Sequence, residues 1–530
     1  MSDRSDRARF FDRLTWVCAI ANAVPLFCAR FLPFTDYPEH AAAIATLRHW
    51  FDPSWDVRST YVLALGKTEY LAYHVVGALL AFVIPDAETA SRVLLALVAI
   101  AFPFSARAML RALGGDERVG VLACAAFWSR PLRIGFLPYV ASVPCVLYAI
   151  ALVVRQVDKP TRARFVALAI ASIGLFYVHL SGYLLFGLVS VALAVVSSPF
   201  TLRGLVAAAW RSSWLVPSGL VAALWKIHGD GPLSSAGTGQ IWYMPARDRI
   251  GDFPLWASDI WTNHADDVCA IALWVAIAAL ALITRYDPAA SWRRIARAWT
   301  PFACALVLYF GLPTQVGAAA SVNERLALFF PVFLLPVLEP RETRLADAFV
   351  VFGAASSMAL AAVAAFTMHA ASRNEAGNIG ALLAKIPARA KLVSLVFHPS
   401  SAYTQPSPWL QVGSYHRVYG GGVASFSFNE IAHWPIHYQP AAAPPPHAPF
   451  WEFDPCAYRN AKDGAYYDYV LTRGAIDPFR DAPPGPKWKS IGTEKDWTLY
   501  EKIADTNPQW SVEDRGPCES RWSIEHARRK

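Results

Sequence analysis

The chain has 530 residues, of which 55% are hydrophobic and only 17% are charged, and its mean hydropathy is +0.30. Since an average soluble protein carries about a quarter charged residues, this composition excludes an ordinary soluble domain. The net charge of +8 does not indicate nucleic-acid binding, because the arginines are concentrated in short loops between apolar blocks, as the positive-inside bias of membrane proteins predicts.

Apolar segments follow one another through the first 370 residues and predict about eleven membrane-crossing helices. Because the first segment has no small-residue cleavage site after it, we expect a retained anchor and not a signal peptide. Segments shorter than about 20 residues must be tilted, extended or buried by neighbours. The predicted helices are 14–32, 91–112, 117–130, 136–154, 165–178, 181–197, 213–226, 267–284, 299–314, 326–338 and 345–368.

The apolar stretch 70–84 is ambiguous, and the arginine distribution decides how it is interpreted. If it does not cross the membrane, every arginine-rich loop lies on the same side as the basic N-terminus, so we expect an interfacial or re-entrant segment. The N-terminus is then cytoplasmic, and the chain is predicted to be a multi-pass protein of the bacterial inner membrane. The cytoplasmic loops are 107–118, 155–164, 198–212, 285–298 and 339–344.

This topology divides the chain into a membrane domain, 1–370, and a C-terminal extracytoplasmic domain, 371–530, of mixed α/β structure. Period-2 alternation predicts strands, which are Lys391–Phe397, Tyr467–Thr472 and Trp497–Lys502. Cys456 and Cys518 are the two cysteines of the tail, and their spacing leaves a disulfide and two free thiols equally open. The other segments on the outer side are 33–67, 129–136, 227–266 and 313–325.

The first outer loop, 33–67, carries an acidic pair directly after the first helix. Asp36 followed by Glu39 matches a capping box, in which both carboxylates stabilise a helix start. The same two carboxylates at the membrane surface also suit acid–base chemistry. Sequence alone gives the two roles equal weight, and a capping Asp can still face a cavity.

Several short motifs then follow in an order that resembles the GT-C class of membrane glycosyltransferases, which includes the lipid A aminoarabinose transferases and the protein mannosyltransferases. The resemblance covers the order of elements over nearly the whole chain, including a soluble domain after the last helix. The motifs are the acidic first outer loop, Thr68–His74, a helix opening with Arg92, Gly135–Tyr139, the helix break at His179 and Asn323–Arg325.

The resemblance implies transfer of a sugar from a polyprenyl-phosphate donor to an extracytoplasmic acceptor, with inversion. Asp36 takes the position of the acidic residue of the first outer loop and therefore the role of base, and Glu39 is the second candidate. Arg325 is expected to pair with the donor phosphate. The further candidate binding residues are His40, Arg130, Arg133 and His179. Each of them can also be explained as a polar, packing or snorkelling residue with no role in binding.

The second outer loop has no acidic residue, unlike that of many GT-C enzymes, so a two-carboxylate or metal-assisted scheme is not supported. No cofactor is expected, and a divalent metal ion is left open but not supported. The expected partners are a lipid-linked sugar, membrane lipid and an unspecified acceptor, with no nucleic acid. Lys67 and Glu69 are interpreted as structural residues.

Two other functions remain open: a transporter or flippase of lipid-linked saccharides, and a non-catalytic component of a polysaccharide polymerase. A transport pathway would place charges in mid-helix, whereas the predicted helix interiors are nearly uncharged, which favours chemistry at the outer surface. On the enzyme hypothesis, Asp36, Arg325 and either Arg133 or His179 are expected to converge on one outward cavity.

Overall fold

The computed structural model describes residues 2–84, 86–228, 241–252, 257–284, 291–317, 319–447, 451–480, 483–505 and 516–519. The chain divides into two compact units, each formed by three segments. The helical unit comprises Met1–Cys28, Leu65–Tyr73 and Val93–Phe366, and the sheet unit comprises Ala29–Ala64, His74–Arg92 and Thr367–Lys530.

Most of the chain before residue 372 is helical. The α-helices in this part are Ser2–Ala23, Tyr37–Arg48, Val57–Thr60, Ala72–Leu80, Ala87–Leu113, Arg130–Ile134, Leu137–Asp158, Arg162–Val178, Leu180–Val196, Leu202–Arg211, Val216–His228, Ala246–Asp252, Ala265–Leu282, Trp292–Gly311, Phe329–Leu334 and Arg344–Ala371. The 3₁₀ helices are Val24–Phe27, Glu117–Ala126, Ser213–Leu215, Glu324–Leu328 and Leu335–Val337. A short two-stranded ladder pairs Ile241–Trp242 with Gln315–Val316.

In the described part of the chain, five helical segments are long and apolar enough to cross a membrane. They are Ser5–Phe27, Ala87–Leu113, Leu137–Asp158, Ala265–Leu282 and Arg344–Ala376. The membrane character is therefore confirmed, but the count of eleven crossings is not. The helix within the ambiguous stretch 70–84 has 9 residues and is about 14 Å long, less than half of the apolar thickness of a bilayer.

Two of the predicted membrane crossings are not single α-helices in the structure. The segment 117–130 contains the 3₁₀ helix Glu117–Ala126, whose 10 residues extend about 20 Å and are mostly buried against neighbouring helices. The segment 326–338 consists of three short pieces and not one helix. Hydropathy identified both as apolar but could not distinguish a short segment covered by protein from a helix that faces lipid.

Ion pairs gather the predicted cytoplasmic loops at one end of the helical unit. Asp347 accepts from Arg7 at 2.7 Å and from Arg118 at 2.6 Å, and Arg294 pairs with Glu339 at 2.7 Å. These residues come from four separate stretches of sequence near the ends of different helices. These ion pairs therefore link the N-terminal segment with three of the five predicted cytoplasmic loops, and the cytoplasmic location of these loops stays a prediction.

The long apolar run 165–196 is two helices, as predicted. Helix Arg162–Val178 ends at His179, whose extended backbone (φ −168°) interrupts the hydrogen-bond ladder before helix Leu180–Val196 begins. Gly182 lies just after the break, where a Cβ atom would be 2.6 Å from the hydroxyl of Ser142. The glycine therefore permits the close approach of helix Leu180–Val196 to helix Leu137–Asp158.

The C-terminal segment of the sheet unit contains a mixed five-stranded sheet. Its strand order is Val423–Ala424, Lys391–Val396, Tyr469–Arg473, Trp497–Ala504 and Lys487–Glu494. The first three strands are parallel and the last two are antiparallel to their neighbours. The three predicted strands are confirmed, whereas the exposed Lys487–Glu494 strand lacks the alternation that would have identified it.

Residues of the first outer loop belong to the same unit as this sheet. Strand Tyr61–Leu63 pairs antiparallel with Ile436–Tyr438, across 373 or more positions of sequence. A buried cluster joins helix Tyr37–Arg48 and this strand to the C-terminal segment. Its members are Ala43, Val57, Tyr61, Val423, Trp434, Ile436 and Tyr438.

The remaining helices of the sheet unit are short. The α-helices after residue 372 are Ile379–Leu383 and Ser414–Gly420, and Ser372–Ala376 is a π-helix turn. The 3₁₀ helices are Phe428–Glu430, Trp451–Phe453, Pro455–Ala457 and Pro517–Glu519. A disulfide joins Cys456 to Cys518, with Cα atoms 5.2 Å apart, so the bridged alternative is the one that the structure contains.

A buried ion pair holds the first outer loop to helix Ser414–Gly420. Glu39 is 0% exposed and its carboxylate lies 3.1 Å from Arg417 Nη1, which is 1% exposed. The carboxylate also accepts hydrogen bonds from the hydroxyls of Ser414 and Ser427 and from the backbone N–H of Phe428. Two charges removed from water are tolerable in this geometry because each compensates the other.

We expect Glu39→Gln to lower the free energy of unfolding by about 3–5 kcal/mol, because it leaves the charged Arg417 buried without its counter-ion. Asp505→Asn, which weakens an exposed pair with Lys502, should change it by less than about 1 kcal/mol. The measurement is the unfolding temperature of purified protein in lipid nanodiscs. The double variant Glu39→Met with Arg417→Met should recover most of the loss, and a double variant as unstable as Glu39→Gln would contradict a buried ion pair.

Candidate active site

Four of the predicted site residues lie in the helical unit and three in the sheet unit. Arg325, His179, Arg133 and Arg130 belong to the helical unit, and Asp36, Glu39 and His40 belong to the sheet unit.

Arg325 lies on the 3₁₀ helix Glu324–Leu328 and is only 7% exposed. Its Nη2 donates to the carbonyl of Ala320 at 2.7 Å, and its guanidinium lies 3.8 Å from the ring centroid of Phe136. Within the described residues, its Nε–H group has no hydrogen-bond acceptor. A guanidinium is always charged and has five N–H donors, so Arg325 retains capacity for an anionic partner.

Both ring nitrogens of His179 face N–H donors, although a neutral imidazole can accept a hydrogen bond at only one nitrogen. Its Nδ1 lies 3.1 Å from the backbone N–H of Ser181, and its Nε2 lies 3.2 Å from Arg325 Nη1. A neutral imidazole has one acceptor and one donor nitrogen, so both N–H groups cannot donate to it at once. When Nδ1 accepts from Ser181, Nε2 carries the proton and points it at another donor. An anionic oxygen between Nε2 and the guanidinium would accept hydrogen bonds from both.

Aromatic side chains surround this pair of donors. The ring centroids of Tyr70 and Tyr139 lie 5.0 Å and 5.1 Å from that of His179, both edge to face. The Tyr139 hydroxyl donates to the backbone carbonyl of Arg325, which fixes the 3₁₀ helix against helix Leu137–Asp158. The cluster defined by Arg325, His179, Phe136, Tyr70 and Tyr139 is called the arginine–histidine cluster below.

The two arginines of the second outer loop differ in their surroundings. Arg133 is buried on the one-turn helix Arg130–Ile134, which ends at Gly135 with a φ of +107°. Arg130 is half-buried, pairs with Asp259 at 3.7 Å and donates its backbone N–H to Ala257. Arg130 therefore connects the second and third outer loops, as a structural residue would.

Asp36 immediately precedes helix Tyr37–Arg48 and is half-buried. In this part of the chain, which the structure describes fully, its side chain makes no capping hydrogen bond to the helix. The Glu39 carboxylate is directed to Arg417 and not back to the helix start. The capping box that the sequence suggested is therefore not formed, and the two carboxylates have different environments.

His40 is buried beside a second histidine. Its Nδ1 lies 2.9 Å from Nε2 of His74, and both rings contact the indole of Trp434. One imidazole must donate and the other accept, so at least one of the two is neutral when this hydrogen bond is formed. The geometry is that of a packed polar pair within the sheet unit.

Glu69, interpreted from the sequence as structural, has an unusual environment in the helical unit. It is 2% exposed, and among the described residues no group hydrogen-bonds to its Oε2. Burial raises the pKa of its carboxyl to about 8, and the nearby indole of Trp225 only partly offsets this effect. At neutral pH the carboxyl is therefore mainly protonated and can donate a hydrogen bond.

Sequence reasoning also overlooked Arg417, because no motif surrounds it and its partner lies 378 positions away. Glu69 is interpreted from the sequence as structural, because the sequence gives no sign of how deeply its carboxyl is buried. In the described residues, no three His, Cys, Asp or Glu side chains are arranged to hold a metal ion.

The structure is similar to the cryo-EM structure of the mycobacterial arabinofuranosyltransferase AftD, with a TM-score of 0.50. The similarity covers 94% of this chain at 14% sequence identity, and the chain spans 40% of the length of AftD. No protein-family model and no curated protein matches the sequence. At this identity the similarity shows a shared fold over nearly the whole chain, in a multi-pass membrane protein, which agrees with the fold that the sequence resemblance implied.

The environment of Glu69 predicts a pH-dependent stability. Its pKa rises from 4.5 in the unfolded chain to about 8 in the folded chain, so the folded state holds a proton that the unfolded state has lost. The free energy of unfolding should therefore fall as the pH rises from 4.5 to 8, by about 1.4 kcal/mol for each unit of the pKa difference.

The Glu69→Gln variant should lack this decline, because the amide does not ionise. The measurement is the unfolding temperature in nanodiscs at pH 5, 7 and 8.5, for the wild type, Glu69→Gln and the exposed control Glu342→Gln. The wild type and the control should lose stability with pH more steeply than Glu69→Gln. Parallel curves for all three proteins would contradict the buried, protonated carboxyl.

Proposed function

We propose that this protein is a membrane glycosyltransferase that moves a sugar from a polyprenyl-phosphate donor to an acceptor outside the cytoplasm. The observation that carries the proposal is the arginine–histidine cluster, where His179 Nε2 lies 3.2 Å from Arg325 Nη1 while Nδ1 faces the backbone N–H of Ser181. A phosphate oxygen beside Arg325 and His179 would accept a charge-assisted hydrogen bond from each of them when Nε2 carries the imidazole proton.

In the proposed reaction, Asp36 accepts the proton of the acceptor hydroxyl. The hydroxyl oxygen attacks C1 of the sugar and forms the new glycosidic bond, while the bond from C1 to the phosphate oxygen breaks and its electron pair remains on the phosphate. Arg325 and His179 stabilise the developing charge on that phosphate. The Glu39 carboxylate is engaged by the buried Arg417 and by hydrogen bonds from Ser414, Ser427 and Phe428, so the base role is proposed for Asp36 and not for Glu39.

The same proposal assigns the finer features of the protein. The N-terminus and the loops joined by Asp347 lie in the cytoplasm, and the domain 371–530 lies outside a bacterial inner membrane. Arg133 is proposed as a further contact for the donor or an anionic lipid, whereas Arg130, Glu39 and His40 are proposed to be structural. The reaction as written needs no metal ion.

The test is release of polyprenyl phosphate from a panel of radiolabelled polyprenyl-phosphate sugars by purified protein in nanodiscs. The wild type should release the lipid phosphate from at least one donor. Asp36→Asn should lower kcat by about 10²- to 10⁴-fold, the usual contribution of a general base, with an unchanged unfolding temperature. The matched control is Asp56→Asn, an exposed residue of the same loop in the left-handed region that asparagine tolerates.

Arg325→Gln should weaken donor binding and turnover together, and Arg325→Lys should retain part of both because it keeps the charge but not the fork of N–H donors. Full activity of folded Asp36→Asn would contradict the base assignment. Movement of the intact lipid-linked sugar across the bilayer without release of phosphate would favour the transporter alternative.

A further inference from the structure

A short helix, Leu202–Arg211, lies between two longer helices of the helical unit and in the predicted cytoplasmic loop 198–212. Its 10 residues extend about 15 Å, half of the apolar thickness of a bilayer, so it is too short to cross a membrane. Gly204 and Ala208 are buried and lie four positions apart, on one face of the helix. The helix packs against its neighbour Leu180–Val196.

The opposite face of this helix is apolar and exposed. Leu202, Val206 and Trp210 are 80%, 62% and 79% exposed. At about 100° of rotation per residue, these three positions form an arc directly opposite the buried Gly204 and Ala208. An exposed apolar stripe on a helix that cannot span the membrane is typical of a helix that lies in the membrane interface, with its apolar face among the acyl chains.

Basic residues border the apolar stripe on one side only. Arg203 and Arg211 are exposed and occupy the arc between the apolar face and the buried face, about 100° and about 180° from Leu202. Just before the helix, the ring of Phe200 stacks on Trp292 with centroids 5.4 Å apart, and the guanidinium of Arg293 lies 5.5 Å from the Trp292 ring. The three arginines, Arg203, Arg211 and Arg293, are called the basic surface below.

The protein provides no carboxylate to balance the basic surface. The stretch 159–229 contains no Asp or Glu. Asp158 and Glu339, which reach the helix that carries Arg293, are already paired with Arg297 at 2.9 Å and with Arg294 at 2.7 Å. Among the acidic residues that the structure describes, none forms an ion pair with the basic surface. These guanidinium groups therefore remain available to an external anion.

An anionic phospholipid matches both features of this helix. Its phosphate pairs with guanidinium groups and its acyl chains cover the apolar stripe, whereas a soluble anion would leave the stripe in water. A lipid without net charge would not compensate the basic surface. We propose that helix Leu202–Arg211 binds anionic phospholipid of the inner leaflet, with Arg203 and Arg211 at the headgroups. This binding does not depend on the proposed transfer reaction.

The experiment places a photocrosslinking side chain on the apolar stripe of the full-length protein, by the substitution Trp210→p-benzoylphenylalanine. The protein is reconstituted in nanodiscs that contain equal amounts of phosphatidylglycerol and phosphatidylcholine with the same acyl chains. After illumination, mass spectrometry gives the ratio of the two lipid adducts. We expect at least about a fivefold excess of phosphatidylglycerol, since each arginine near a membrane surface contributes about that factor. Salt at 1 M should bring the ratio close to one because it screens the charges.

Replacement of both helix arginines, Arg203→Gln with Arg211→Gln, should lower this ratio at least about fivefold. Replacement by lysine at both positions should retain most of it, because the charge remains. The matched control is Arg247→Gln, an arginine of the same unit that is 89% exposed and pairs with Asp248, and its ratio should match that of the unsubstituted background. Because the ratio compares two adducts of one sample, a lower yield of folded protein does not change it.

Equal adducts of the two lipids in the background protein would overturn the proposal, as would an unchanged ratio in the double glutamine variant. A covalent dimer formed in place of lipid adducts would also overturn it, because the stripe would then be covered by a second copy of the chain. Absence of both kinds of product would show that the stripe faces water, which contradicts the proposal as well.

Discussion

A polar group enclosed by protein within a bilayer cannot form hydrogen bonds with water, so each buried donor and acceptor needs a hydrogen-bond partner within the chain. Most of the helical unit obeys this constraint. The breaks between helices are capped by side chains such as Thr161, Thr201 and Ser291, and the charged loops pair with one another at one end of the bundle. Some buried polar atoms have no hydrogen-bond partner among the described residues, and Arg325, Asp266 and Glu69 each contain one.

Three such atoms concern this account, and they differ in charge. Arg325 presents a cation beside an imidazole whose two nitrogens face donors, which suits an anion. Asp266 presents a carboxylate with one oxygen fixed by backbone N–H groups. Glu69 presents a carboxyl that burial keeps mainly protonated at neutral pH. The helical unit thus encloses an arginine and two acidic side chains in three different environments.

The sequence predicted the membrane character, the helix break at His179, three strands of the C-terminal sheet and the GT-C fold. These features depend on local patterns: long apolar runs, period-2 alternation and the order of short motifs. Hydropathy failed for 117–130 and 326–338, because an apolar segment covered by protein has the same composition as one that faces lipid. The pairing of Tyr61–Leu63 with Ile436–Tyr438 was also missed, since no local pattern encodes a contact across that separation.

For the candidate site, the sequence nominated Asp36, Arg325 and His179 but could not separate Asp36 from Glu39. Both are acidic residues three positions apart, and their difference comes from Arg417, a distant residue that occupies only one of them. Residue type and spacing can nominate a carboxylate, but the groups that surround it determine its chemistry.

The central claim is that Arg325 and His179 hold the phosphate of the donor lipid. The most direct measurement is a cryo-EM structure of the full-length protein in nanodiscs with polyprenyl phosphate, the leaving group of the proposed reaction. The account predicts phosphate density between the guanidinium of Arg325 and Nε2 of His179, within hydrogen-bond distance of both. Phosphate density elsewhere in the protein, with the 3.2 Å contact between Arg325 and His179 unchanged, would contradict it.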